Sequence, residues 1–234
     1  MEIKATLEAL QANNSDTMLV ETNEEARQAL LEVIPSEAIV GFGDSATLKQ
    51  IGISDELVKR GNPVINPFTA EFRKQKEISW EKATRNALLS DVFLSSSNAV
   101  TQDGKIVNID NGGNRVAGMI YGPKEVIIVV GRNKIVRDVD EALFRIKNII
   151  TPYHAKRKGF RTPCAITGEC NECDAPGRLC NVTAIFQKRR IKTTIIMVNQ
   201  DLGLSWDELW PQDRIERIKT AYNEVTFAGI ESQQ

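Results

Sequence analysis

The chain has 234 residues, 41% apolar and 26% charged, which excludes intrinsic disorder and a disulfide-stapled miniprotein and is enough for one full-sized core. Thirty Lys plus Arg against thirty-one Asp plus Glu leave a formal charge of −1, so no global field recruits nucleic acid or an anionic membrane, and any anion site must be local. No apolar run approaches the roughly 20 residues of a membrane helix, and the N-terminal MEIKATLEALQANN has no apolar core of a secretion signal, so no membrane span and a cytoplasmic location are expected.

In chain order, residues 2–13 predict a helix with Ile3, Leu7 and Leu10 on one face, followed by a short strand at 17–20. Thr22 with Glu25 three residues on has the form of a capping box, and Ala26, Ala29, Leu30 and Val33 carry the helix towards Pro35. The apolar run at 38–42 enters a Gly-Phe-Gly-Asp-Ser turn and then a helix, giving the order strand, glycine turn, helix. A strand at 63–67, one or two helices over 70–89, and a strand from 91 that turns small and polar at Ser95–Ser97 come next.

GKIVNID at 104–110 alternates in β fashion, the Asn-Gly-Gly turn at 111–113 interrupts it, and EVIIVVG at 125–131 reads as a fully buried strand. A helix is expected at 138–150, a strand at 193–203 and a final helix at 212–225. Between Thr151 and Asn181 the periodicity disappears. The alternation of helices with continuously apolar strands predicts a single α/β domain over 1–234, a mainly parallel sheet flanked by helices, with an inserted Cys-rich metal loop at 151–181.

That loop carries all four cysteines, Cys164, Cys170, Cys173 and Cys180, spaced C-x5-C-x2-C-x6-C. Four thiolates on one short segment suit a [4Fe-4S] cluster or, alternatively, zinc; free or disulfide-bonded cysteines are the third reading, and a reducing compartment argues against disulfides. Lys156, Arg157, Lys158, Arg161 and Arg178 are placed to offset thiolate charge or to form a solvated face.

Two further stretches are candidates for anion chemistry. In Gly41 to Leu48, the turn residues Gly43, Asp44, Ser45 and Thr47 can offer N–H groups and hydroxyls to a phosphate or carboxylate; the plainer alternative is that Asp44 or Ser45 only caps the helix. An unpaired Asp44 would repel an anion. In Ser95 to Pro123, Asn98, Asn114 and Arg115 are ligand candidates, with Asp110 as a base or as the group that fixes Arg115; the alternative is a hairpin with a structural Asp110–Arg115 pair. Asp110, Arg115 and Lys134 are the candidate catalytic groups, Lys134 because it directly follows a buried strand whose carboxyl end faces the same crevice. His154, the sole histidine, reads as a surface residue, and the three tryptophans as partly buried anchors.

GFGDSATLKQIG, SSNAVTQDGKIVNIDNGGNRVAGMIYGPKEVIIVVGRNKIV and TPCAITGECNECDAPGRLCN together resemble the LUD domain, the lactate-utilisation protein C-like family, in its cysteine-containing subset. The resemblance implies the fold of the ribose-phosphate isomerase, glucosamine-phosphate deaminase and coenzyme A transferase superfamily. It also implies a link to oxidation of lactate or a related organic acid beside iron-sulfur or dehydrogenase partner subunits. The leading expectation is a redox or electron-transfer protein built on the four cysteines. The alternatives are an enzyme binding a small anionic metabolite around Gly41–Thr47 and Asp110–Arg115 with structural zinc, and a non-catalytic subunit of a lactate-oxidising complex.

Overall fold

The computed structural model describes residues 3–75 and 77–227; residue 2 of the first expected helix and the end of the 1–234 span lie outside the described residues. The chain begins with α1 (Ile3–Ala12), β1 (Asp16–Val20), α2 (Asn23–Val33), β2 (Val40–Phe42), α3 (Ala46–Ile51), α4 (Ile53–Arg60) and β3 (Val64–Ile65). It continues through α5 (Ala70–Lys74), α6 (Trp80–Ala87), β4 (Val92–Ser95), β5 (Ala99–Thr101), β6 (Ile106–Asp110), α7 (Asn114–Ile120), β7 (Glu125–Gly131) and β8 (Ile135–Val136). The last elements are α8 (Val139–Arg145), α9 (Thr151–Arg157), α10 (Pro163–Thr167), β9 (Val182–Phe186), β10 (Lys192–Val198) and α11 (Gln212–Asn223).

Six strands form an entirely parallel sheet in the order β1-β10-β7-β4-β2-β3. Its central strands are buried on both faces. Residues 127, 129, 196 and 198 pack with α2, α3 and α4, whereas 126, 128, 130, 195 and 197 pack with Leu7 and Leu10 of α1 and Met119 of α7. Continuous apolar runs are what two-sided burial demands, and each such Val or Ile contributes about 1.5–3 kcal/mol. The α/β class with a mainly parallel, helix-flanked sheet therefore holds.

A second sheet, β8-β5-β6-β9, is mixed: β5 runs parallel to β8 and antiparallel to β6, and β6 is antiparallel to β9. It lies between the main sheet, which receives Val100, Ile106 and Ile135, and a helical layer that receives Ala99, Val107, Ile109 and Val136. That layer is a long helix running from α8 to α9 without a break. Between them Ile146–Ile150 widens into a π turn, with the Thr151 N–H donating to the Ile146 carbonyl just before Pro152, which has no N–H to give. The loop expected from Thr151 is thus helical to Arg157, with a further helical turn at α10. No described helix is long and apolar enough to cross a membrane.

The capping box at α2 forms in modified shape. Thr22 accepts from the Glu25 N–H at 3.1 Å, but the Glu25 carboxylate reaches back to Glu21 N–H at 2.8 Å rather than to Thr22.

Candidate functional site

Along the parallel sheet the chain moves outward from β2 to β3 on one side and from β4 to β7 on the other, so the order reverses between β2 and β4. Ligands gather outside the carboxyl ends of strands at such a switch point. The loops leaving β2, β4 and β7 meet there.

After β2, Gly43 approaches the opposite wall closely: a Cβ on it would stand 2.9 Å from Arg115 Cγ and 3.1 Å from Ser95 Oγ. Ser45 caps α3, its hydroxyl accepting from Leu48 N–H at 3.2 Å, so one N–H group that could have faced an anion is already taken. Asp44 is bonded by two cations, Lys49 Nζ and Lys158 Nζ, each at 2.9 Å. Burial pushes its carboxyl up, but the two lysines outweigh that and hold it well below the usual carboxylate range. The repulsion expected of an unpaired Asp44 is cancelled.

Within Ser95–Pro123, β5 and β6 form the hairpin of the plainer reading, turning at residues 102–105, and Asp110 pairs with Arg115; the stretch then continues into a helix. The Asn-Gly-Gly turn ends β6 and starts α7, with Gly113 at φ +80, a conformation that favours glycine, as the residue preceding the helix. Asp110 accepts from Val116 N–H at 3.2 Å and faces Arg115 Nε at 3.6 Å, which gives it the role of fixing Arg115. Arg115 Nη2 donates to Asn98 Oδ1 at 3.0 Å and to the Ile109 carbonyl at 2.9 Å; Nη1 reaches the Ser96 carbonyl at 3.5 Å. A guanidinium has five N–H groups, more than these bonds use, and Arg115 lines the crevice. Asn98 is itself held, its Oδ1 also accepting from Ile109 N–H, and Asn114 lies on the rim.

Lys134, in the 3₁₀ turn after β7, is 5% exposed. Its ammonium donates to Thr47 Oγ1 and Ser96 Oγ, both at 2.8 Å, which gives the fully buried Thr47 the task of seating the lysine. Desolvation, helped by the nearby Arg115 charge, brings Lys134 down to about 7.

Asp44, Ser45, Asn98, Asp110, Asn114, Arg115 and Lys134 line a cavity of about 440 Å³; of the other predicted ligand residues, Thr47 is buried behind Lys134 and Gly43 lines a neighbouring cleft. Five cationic side chains, Lys49, Arg73, Arg115, Lys134 and Lys158, face it against two carboxylates, Asp44 and Asp110. A neighbouring cleft of about 670 Å³ has the opposite character, with Asp55, Glu71, Asp201 and Glu224 against Lys49 alone. Of the two, the first cavity carries the excess of positive charge.

Its far wall was not legible in the sequence. Ile146 and Ile150 of the π turn, His154, Tyr222 and Phe227 complete it. His154 is not a surface residue: half-buried, it pairs through Nδ1 with the Tyr222 hydroxyl, and desolvation together with the Lys158 charge lowers it to about 3. Lys49 and Lys158 lie over the Phe227 ring at 4.6 and 4.9 Å from its centre. Trp206 is buried and Trp210 partly so, whereas Trp80 is 39% exposed at the cavity rim against Phe68.

The cysteine segment follows α9. Cys164 is buried at the start of α10 beside the Thr162 hydroxyl at 3.3 Å; Cys170, Cys173 and Cys180 are half-buried, and all four are free thiols. Arg178 Nη1 donates to the Cys173 carbonyl at 2.7 Å and Nε to the Cys180 carbonyl at 3.0 Å. Among the described residues no three of His, Cys, Asp and Glu are gathered as a metal-holding group. Of the basic residues expected to offset thiolate charge, Lys158 turns instead to Asp44 and Arg157 to the Asn223 carbonyl, while Arg178 stays with the cysteines. Phe160 and Leu179, within the same segment, line the anion cavity.

Comparison with known proteins is consistent with the family expected from the sequence. A solved structure of a DUF162 family protein from Deinococcus radiodurans is similar at 13% identity and a TM-score of 0.49, covering 84% of this chain and 96% of that one, a likeness too loose to carry an argument. No curated protein matches the chain. The family model for the LUD domain matches residues 3–198, from α1 to the end of the last sheet strand, and the chain belongs to the LUD domain family.

Proposed function

We propose that this LUD-family chain is a cytoplasmic protein of lactate or related organic-acid oxidation that binds a small carboxylate- or phosphate-bearing metabolite in the cavity between β2, β4 and β7. The observation that carries this reading is the excess of cations there, five against two, with Asp44 already neutralised by Lys49 and Lys158 and with Arg115 and Lys134 left facing the space. Arg115 has Asp110 beside it, but Lys134, buried among hydroxyls, has no carboxylate, and an anionic ligand supplies what is missing. Asn98 and Asp110 hold the guanidinium in place, and Thr47 and Ser96 hold the amine, so the ligand meets a pre-arranged pair.

Titration calorimetry with inorganic phosphate, L-lactate and pyruvate tests it. At least one should bind, and Arg115→Ala should weaken that binding at least tenfold while leaving metal content unchanged. Equal binding by the variant would remove Arg115 from the site, and no heat from any of the three would remove the anion reading.

The second reading concerns the cysteines. Four free thiols on one segment, with the backbone carbonyls of Cys173 and Cys180 both bonded by Arg178, are a donor set suited to a [4Fe-4S] cluster or to zinc, held by Cys164, Cys170, Cys173 and Cys180. Their sulfurs are not drawn into one group, so binding would close the segment around the metal. A cluster would give the chain a way to pass electrons to dehydrogenase or iron-sulfur partner subunits; zinc would fold the segment only. Iron, sulfide and zinc analysis of protein prepared without oxygen separates the two, stoichiometric zinc without iron ending the electron-transfer role.

A further inference from the structure

We propose that Lys134 captures a small 2-oxo acid as an imine, with the acid's carboxylate received by Arg115. The inference rests on the anion-cavity reading and narrows it to one substrate class.

Lys49 and Lys158, on the same cavity, both give their ammonium groups to Asp44, whereas Lys134 faces two hydroxyls. A lysine retained only for its charge is ordinarily matched by a carboxylate when buried this deeply. An amine whose N–H groups are accepted by Thr47 and Ser96 keeps its lone pair free once neutral, and Lys134 needs to lose only one proton near neutral pH to reach that state. Gly203 packs closely against the amine: a Cβ there would lie 2.9 Å from Lys134 Nζ and 2.6 Å from Thr47 Oγ1, so only glycine lets the lysine sit between Thr47 and Ser96.

Geometry selects the acid. Lys134 Nζ bonds the Ser96 hydroxyl and Arg115 Nη1 reaches the Ser96 carbonyl, so amine and guanidinium stand side by side across one residue. In a 2-oxo acid the reactive carbonyl and the carboxylate are on adjacent carbons, and the two protein groups match them in order. A 2-hydroxy acid offers the carboxylate but no carbonyl.

The step balances without an oxidant. The neutral amine adds to the keto carbon, forming the C–N bond as the C=O π bond breaks, and one amine proton passes to the oxygen; the carbinolamine hydroxyl then takes one proton from solvent and leaves as water, giving the protonated imine. The Ser96 and Thr47 hydroxyls, both bonded to Nζ, are placed to relay those protons. Hydrolysis reverses the sequence and releases the acid.

Pyruvate with sodium cyanoborohydride, followed by intact-mass and peptide analysis of the full chain, tests the proposal. One reduced adduct on the peptide carrying Lys134 is expected, absent from Lys134→Met and suppressed by excess inorganic phosphate. The wild-type peptide map decides the question even where Lys134→Met fails to fold. Pyruvate that binds by calorimetry but leaves no adduct, or an adduct on Lys49 or Lys158 instead, overturns the imine and leaves the anion cavity standing. Absence of binding by phosphate, lactate and pyruvate alike removes both.

Discussion

The crevice and the cysteine segment solve the same problem, holding reactive side chains in place, in opposite ways. In the crevice the groups are fixed chiefly by parts of the chain distant in sequence: Arg115 by Asn98, Lys134 by Thr47 and Ser96, Asp44 by Lys158. In the cysteine segment the bonds are mostly local, Arg178 to Cys173 and Cys180 and Thr167 to Pro163 and Glu169. The first arrangement is a property of the folded sheet and exists before any ligand arrives. The second leaves the four thiols apart from one another. Lys147 to Glu172 is an exception, a tie from the long helix to the segment, but Glu172 is largely solvated and such a pair contributes little.

The comparison can be broken most forcefully at glycine. A Cβ on Gly41 in β2 would lie 2.5 Å from the Ala87 carbonyl oxygen and 2.7 Å from Ser90 Oγ, contacts that backbone cannot relieve. Gly41→Val is expected to cost about 3 kcal/mol or more in urea unfolding. In the cysteine segment, Gly168 has nothing within 4 Å and suffers only from φ +84, so Gly168→Ala should cost about 1 kcal/mol. Equal losses would show that the segment is as tightly packed as the sheet.

Asp44→Asn comes between them. Two lysines lose their carboxylate in a half-buried site, for an expected loss of about 2 kcal/mol. Because the folded carboxyl is held below its ordinary value of 3.8, the stability it contributes is complete above that pH and disappears as the pH falls through and below it. The variant should therefore lose less stability than the wild type between pH 5 and pH 2. It should also bind phosphate more tightly, since Lys49 and Lys158 are freed towards the cavity. Weaker binding together with weaker folding would mean that Asp44 supports the site only by packing.

Much of the sheet was legible because burial on both faces leaves a continuous apolar run, as in Glu125–Gly131, and because strand, glycine turn and helix follow directly at Val40–Ile51. What was missed lacks a local signal. The helix Asn114–Ile120 has seven residues with a glycine inside, and Gly118 is there because Phe93 leaves no room for a Cβ. The strand Val182–Phe186 alternates as an edge strand but followed a segment read as loop, and Pro152 suggested a helix end where a π turn absorbs it. Asp44, Ser45, Asn98, Asp110, Asn114, Arg115 and Lys134, singled out from their place in the chain, do come together on one cavity. Their partners His154, Tyr222 and Phe227 come from the long helix and the end of the chain, and only tertiary packing brings them to the cavity.

The smallest expected effect is the one that joins the two regions. Phe160 and Leu179 belong to the cysteine segment and yet line the anion cavity, and Lys158, two residues before Phe160, bonds Asp44. If a metal closes the segment, those three residues are drawn with it, and metal and anion affinities become linked in both directions. Treating metal-loaded protein with a chelator should open residues 168–178 to limited proteolysis, leave the cooperative unfolding of the sheet in place, and change phosphate affinity by no more than about tenfold. Cys170→Ser with Cys173→Ser should reproduce that shift without chelator. An unchanged affinity accompanied by new proteolysis would mean that the cavity wall is held by Phe227 and the long helix alone, and that the thiols serve a separate purpose.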